Sequence, residues 1–319
     1  MSRRAILMLT LLAVVLAAVV VLRLAMGGGG LAWPGSPEVW GLRVDRVAAG
    51  AVVGASLALG GAFLQTLLRN PLASPDLIGA AAGAGLAVMA WVVLSGSSGQ
   101  GVVRGGVALA GASVTMALVY AVAQRRGLVE PSSLLLVGVM VTVLCGAATL
   151  LLAHFTPDRG YGVARWTVGT LGDDSPRWAV VTGLVAVPLA AGLGAWFGPM
   201  LDATTMGDDE AHAMGVPLRR VRPALFAASG VLTAIAVSIA GPVGFVGLVC
   251  PHLVRLLAGP ASRGVVIGSA LSGAALFVGA DALVRAIELP SGRLPIGVLT
   301  ALIGGPTFLL LLRSERGRL

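Results

Sequence analysis

Lysine is missing from all 319 residues, so the formal charge of +8 rests on arginine. A nucleotide-binding phosphate loop, GxxxxGK[ST], needs that lysine. The chain cannot carry such an ATP site, and any ATP that drives it is bound by another subunit. Charge of either sign is sparse, at 11% of residues, where a soluble domain has about 25%. An ordinary soluble fold is excluded. The two cysteines, Cys145 and Cys250, sit in apolar stretches without disulfide or metal spacing and read as small buried hydrophobes. Histidines 154, 212 and 252 are scattered and no HExxH pair occurs, so an intramembrane metallohydrolase lacks its ligands. Acids are equally rare within the apolar runs. Asp281 is the principal one and lies near a run's end, which gives an ion-coupled secondary transporter no mid-membrane coupling site. The arginines cluster between apolar spans, which points to a membrane rather than to nucleic acid.

What is present is hydrophobic: 57% of residues, with a mean hydropathy of +0.94. A span needs about 20 apolar residues to cross a core of roughly 30 Å, and about ten such stretches occur. Arg3-Arg4 followed by an apolar run to Val21 has the outline of a signal peptide. The run is long enough to span, however, and no small-x-small cleavage site precedes Gly27, so it reads as a retained first helix. Residues 27–40, rich in Gly, Pro and Trp, read as an outside loop with interfacial aromatics. Further spans are expected near 46–68, 77–94, 102–123, 132–153, 178–198, 223–240, 243–258, 265–284 and 294–312. With the N-terminus inside, thirteen arginines fall inside and eight outside (Arg43, Arg46, Arg104, Arg159, Arg165, Arg177, Arg285 and Arg293), with Arg23 near the outer interface. That bias places both termini in the cytoplasm. The expected fold is all-α: one transmembrane domain over 1–319, a polytopic bundle of about ten helices.

The organising stretch is 60–85, GGAFLQTLLRNPLASPDLIGAAAGAG. Asn70-Pro71 should end the incoming helix, because proline fixes φ and lacks an N–H. Ser74-Pro75-Asp76 reads as the next helix start, with Ser as cap, Pro in the first position and an acid in the first turn. Gly50, Gly54, Ala58 and Ala62 recur every four residues, as do Gly79, Gly83 and Ala87. Such smooth stripes let helices associate in lipid, where apolar side chains gain nothing by leaving hydrocarbon for one another.

Between the sixth and seventh spans, 205–222 has a legible grammar. Asp208, Asp209 and Glu210 suit a helix's positive end. Gly215 and Pro217 stop what Ala211, His212, Ala213 and Met214 continue. A two-turn helix is not stable alone in water, so it rests on its own protein, docks on a cytoplasmic partner, or both. Next, Gly241-Pro242-Val243-Gly244-Phe245-Val246-Gly247 and Pro251-His252 crowd glycine and proline into membrane depth, where broken backbone survives only under protein cover or beside a water-filled cavity. His252 and Arg255 sit one turn apart near the inner interface. Asp281 and Arg285, four residues apart on one helix, read as an ion pair, since a mid-bilayer charge costs about 2.5–3.5 kcal/mol.

Taken together, LRVDR (42–46), QTLLRNPLASPDLIGAAAGAG (65–85), MGDDEAHAMGVPLRRVR (206–222), GPVGFVGLVCPHLVR (241–255), ADALVR (280–285) and LPIGVLTALIGGPTFL (294–309) resemble the FecCD-type permeases of iron–siderophore and cobalamin ABC importers. The resemblance implies a type II importer permease fold in a bacterial cytoplasmic membrane, working as a homodimer or with a paralogue. It implies two ATPase subunits inside, which hold ATP and magnesium, and a substrate-binding protein outside; the chain itself has no cofactor and performs no covalent chemistry. The helix at 208–214, with Gly215, Arg219 and Arg220, matches the helix that couples to the ATPase. Arg43, Arg46 and Arg285 match arginines that meet acidic knobs on the binding protein. Gln65, Asn70, Pro71, Gly244, Gly247, Pro251 and His252 stand in the packing and translocation motifs. Two positions depart from the pattern: Asp45 replaces a proline and is expected to neutralise part of the docking charge, and Arg293 replaces a glutamate. A ferric siderophore or related chelate is the implied cargo, with cobalamin or haem as the alternatives.

Overall fold

The computed structural model describes residues 2–27, 30–96, 101–125, 128–155, 166–173, 175–287 and 294–316, and the side chains of all of these except 125, 128, 129 and 309–316. Arg126, Arg159, Arg165, Arg293 and Arg318 lie outside the described residues, and with them the expectation attached to Arg293.

The described residues form helices α1 (Arg3–Ala25), α2 (Pro37–Leu68), α3 (Ala80–Ser95), α4 (Gly101–Ala123), α5 (Pro131–His154), α6 (Arg177–Trp196), α7 (Gly198–Met206), α8 (Asp208–Ala213), α9 (Leu218–Ala240), α10 (Val246–Ala258), α11 (Ser262–Ala286) and α12 (Ile296–Arg316). Two minimal antiparallel ladders tie off connections, Met26–Gly27 with Gly30–Leu31 and Gln124–Arg125 with Leu128–Val129. Seven helices are long and apolar enough to cross a membrane: α1, α2, α4, α5, α6, α9 and α11. Three shorter apolar helices, α3, α10 and the first part of α12, complete the ten expected spans.

Helix α2 is the mast of the bundle, buried almost continuously from Val47 to Leu68 and packed on α11, α9, α10 and α6. Its small residues explain how. A Cβ on Gly54 would stand 2.1 Å from the carbonyl oxygen of Gly273 on α11, and one on Gly61 would stand 1.9 Å from that of Gly247 on α10. At the second stripe, a Cβ on Gly83 would strike the Thr115 hydroxyl of α4. Backbone therefore meets backbone at two heights along α2, and the glycines are there because nothing larger fits.

The helices alternate between two ends. At one lie Arg4, whose guanidinium donates to the carbonyls of Leu256 and Leu257 at the finish of α10, together with Arg69 and α8. At the other lie the start of α2, the finish of α11 and the start of α12, whose Gly297 N–H donates to Gly169. The N-terminus of α1 thus sits at the α8 end, and α12 runs toward it, with Phe308 5.9 Å from His252.

Two expectations need correcting. Ser74-Pro75-Asp76 opens a single 3-10 turn, Pro75–Ile78, without a side-chain cap from Ser74; the α-helix begins only at Ala80. The reason is Gly79, left-handed at φ 85°, over which Thr115 and Val141 close. Also, Pro251 breaks nothing: the irregular backbone is confined to 241–245, and α10 runs through Pro251 unbroken.

Because Gly61 has no room for a methyl, Gly61→Ala should destabilise the purified chain by about 1–3 kcal/mol. Gly106→Ala on α4, whose Cβ meets nothing within 4 Å, should cost nothing. Melting curves of the two variants in one detergent check the contrast.

Candidate functional site

The first constellation lies at the end opposite α8. Asp281 on α11, 2% exposed, is held by Arg23 of α1 at 2.5 Å and by Arg46 of α2 at 2.8 Å, while the Arg23 side chain is wholly buried. Arg46 also reaches Asp173 at 2.6 Å, and Arg285 approaches the same carboxylate at 3.5 Å. Asp173 is 69% exposed, so this chain of charges leads from the core to the surface.

The arrangement corrects the sequence reading in several places. Asp281 pairs across helices with Arg23 and Arg46, whereas Arg285 turns to Asp173; a guanidinium arriving from a neighbouring helix can meet the carboxylate head-on. Arg46 is accordingly buried rather than outward-facing. Arg43 is half-buried and donates to the carbonyls of Leu24 at 2.6 Å and Ala32 at 2.8 Å, pinning the loop between α1 and α2. Asp45 leaves both arginines alone and faces Arg177 at 3.3 Å. Arg23 was passed over as an interfacial residue. The available signal was the cost of two opposite charges expected at one end of the membrane.

A polar seam crosses the middle. Pro251 has no N–H to give the carbonyl of Gly247, four residues back. The Gln65 side-chain amide donates there at 3.4 Å and to Leu248 at 3.3 Å. Arg255 in turn donates to the Gln65 side-chain oxygen. Gly247 packs against Pro75, and the Asp76 carboxylate lies beside Gly244, so the two irregular segments meet. Phe245 enters α10 from the left-handed region at φ 69° and covers Gly304 of α12. His252 is buried, edge-on to Phe308. Asn70 caps the following turn by accepting the Leu72 N–H, with Pro71 exposed beside it.

At the other end α8 stands on the surface. Its C-terminus closes as the grammar of Gly215 predicts: Gly215, at φ 77°, donates to His212, and Val216 donates to Ala211. Ala211 is buried, while Asp209, Glu210, His212, Ala213 and Met214 are exposed. One residue holds the helix down. Asp208 accepts from Arg69 and from Arg222, each at 2.6 Å. Arg69 occupies the left-handed position after α2 that glycine usually fills, at φ 49°, and also donates to the Thr204 carbonyl at 2.6 Å. Arg222 is buried beneath α8; Arg219 and Arg220 are exposed. The helix α2 and the helix α8 are therefore mechanically joined through Arg69. Burial pushes the Asp208 carboxyl up, but the hydrogen bonds and charges of Arg69 and Arg222 outweigh it and hold it below the usual carboxylate range.

A ten-helix bundle with a buried polar seam, a charged cap at one end and a tethered two-turn helix protruding at the other is the form of a polytopic transport subunit. The family model for the FecCD transport family matches residues 5–314, and the chain belongs to that family. Relatives along most of its length include the cobalamin import system permease protein BtuC of Halobacterium salinarum, 38% identical over 91% of this chain and 82% of that protein. The hemin transport system permease protein HmuU of Yersinia pestis is 34% identical over 88% and 84%, respectively. The Fe(3+) dicitrate transport system permease protein FecC of Escherichia coli is 37% identical over 88% and 85%. Among solved structures, an inward-facing conformation of a metal-chelate type ABC transporter superposes with a TM-score of 0.82 at 27% identity, covering 97% of this chain and 99% of that one.

Removing one partner of a buried ion pair strands the other charge. Asp281→Ala should therefore cost about 3–5 kcal/mol, and Asp173→Ala, at an exposed pair, no more than about 1 kcal/mol; thermal unfolding in detergent distinguishes them. The Asp208 tie should be at full strength above the unfolded carboxylate pKa of about 3.9 and fade as pH falls through the lower folded value. Hydrogen exchange at 208–213, corrected for its intrinsic pH dependence, should accelerate over that acid range. In Asp208→Asn it should be fast throughout.

Proposed function

We propose that this FecCD-family permease moves a metal chelate, a ferric siderophore by preference and cobalamin or haem as the alternatives, across a bacterial cytoplasmic membrane, driven by ATP hydrolysed on separate subunits. Support for the chelate class comes from relatives whose names specify cobalamin, hemin and ferric dicitrate. They differ in cargo, so the siderophore preference rests on the resemblance of motifs. The absence of lysine supports an external nucleotide site with its magnesium.

The observation that carries the reading is the mounting of α8. Residues 209, 210, 212 and 213 of α8, and Met214 just after it, are exposed, while Asp208 is bolted to the ends of α2 and α9. A force applied to that face by a closing ATPase pair would pass through Arg69 into the mast, and the mast touches α10 and α11 at backbone range. Two permease copies, or a copy and a paralogue, rocking about such masts would expose a central path alternately to each side. In this reading the α8 end and both termini are cytoplasmic, and the opposite end receives the binding protein. Arg285 and Asp173, together with the exposed pair Arg177 and Asp45, are then the charged groups of that docking surface, with Arg43 and Arg46 behind them as its framework. Such contacts weaken with salt. An ion-driven mechanism finds little support in Asp281, whose carboxylate is occupied by two arginines.

In a reconstituted complex of permease, ATPase and binding protein, replacing Asp209, Glu210 and Met214 together by alanine should lower transport-linked ATP hydrolysis at least tenfold and leave the melting temperature of the permease unchanged. Hydrolysis that persists at the parental rate would remove α8 from the coupling path.

A further inference from the structure

At the α8 end, between the last turn of α2, the second half of α10 and the first turn of α11, lies a cavity of about 220 Å³. Its polar lining comes from Gln65, Thr66, Arg69, Asn70, Thr205, Arg255 and Ser262. Coupling through α8 does not use Arg255. This guanidinium is half-buried, and the bond shown for it runs to the neutral side-chain oxygen of Gln65. Among the described residues no carboxylate lies within ion-pair distance of it. The nearby acids are engaged elsewhere: Asp208 is shared between Arg69 and Arg222, and Asp202 accepts the Ser262 N–H. The 25-residue helix α11 opens at the cavity wall, its first N–H engaged by the Asp202 carboxylate.

A guanidinium removed from bulk water and left without a counter-charge is costly, and its planar fork matches the paired oxygens of a phosphate group. The volume, set against about 30 Å³ per water, holds a tetrahedral oxyanion with several waters. We propose that this cavity binds a phosphate group, carried by a lipid headgroup or free in solution, between Arg255 and Arg69. The proposal does not depend on the identity of the cargo. Since Arg69 also holds Asp208, an occupied cavity draws on the same guanidinium that anchors α8.

The test is the melting curve of the full chain, followed by tryptophan fluorescence, in dodecyl maltoside, a detergent without phosphate. One arm adds inorganic phosphate, a second adds phosphatidylglycerol to the micelles, and a third adds sodium chloride at matched ionic strength. A saturable rise of a few degrees is expected in the phosphate arm if the group is free, or in the phosphatidylglycerol arm if a headgroup supplies it, and none with chloride. The rise should vanish in Arg255→Gln, and equally in Thr205→Glu, which puts a negative charge at the exposed rim of the cavity. Should Arg255→Gln fail to fold, Thr205→Glu decides alone. No rise in either anion arm, or a rise that persists in a folded variant, overturns the proposal.

Discussion

The fold depends on how closely backbone can approach backbone around α2. In lipid there is no hydrophobic gain from bringing two apolar helices together, so association rests on dispersion and on satisfied polar groups. Gly54 against Gly273 and Gly61 against Gly247 remove the side chains that would hold the axes apart. Ser229 uses the same closeness, donating from α9 to the carbonyl of Gly60 at 2.9 Å. A mast gripped in this way transmits displacement with little slack, because a packed contact cannot be compressed. Arg69 ties α8 to this rigid element.

The polar groups follow a second constraint, that a polar group inside the bilayer is costly without a partner. Gln65 is the clearest case. It lies on the mast, one turn from its end, and supplies the N–H that Pro251 denies to the carbonyl of Gly247. Asp281 is the counterpart at the opposite end, where three helices converge on one carboxylate. Both arrangements bind α2 to the second half of the chain, α10 in one case and α11 in the other. The surface ties, Asp208 with its two arginines and Asp173 with Arg46 and Arg285, are half-solvated and correspondingly easier to exchange. Buried, paired connections thus hold α2 to the second half of the chain, and exchangeable ones lie at the surface.

Much of the fold could be read in advance because membrane physics narrows the choices. Apolar runs of span length become helices, as α4, α5 and α9 did within a few residues of the expected limits. Gly215 stopped α8 for the stated reason, and Asn70-Pro71 lay just beyond the end of α2. Errors collected where a side chain's partner lies far along the chain. The Asp281–Arg285 pairing followed from i, i+4 proximity, but Arg23 and Arg46 lie 258 and 235 residues away. Ser74-Pro75-Asp76 carried every local mark of a helix start and yet produced one 3-10 turn, because α4 and α5 close over Gly79. The outward role expected of Arg43 and Arg46 came from the resemblance of motifs. The carbonyls of Leu24 and Ala32 engage Arg43, and the buried Asp281 carboxylate engages Arg46.

By itself the sequence determined the class of molecule: a lysine-free, arginine-edged, apolar chain with about ten spans is a membrane bundle without a P-loop nucleotide site. It also determined the existence and stop of the helix at 208–213, since caps and breakers act over four or five residues. Only the tertiary structure decided which charges neutralise which, which glycines are contact points, and that Arg69 joins the mast to α8. Those outcomes depend on distances between helices, and such distances arise from close packing of the whole chain, a property no local stretch of residues contains.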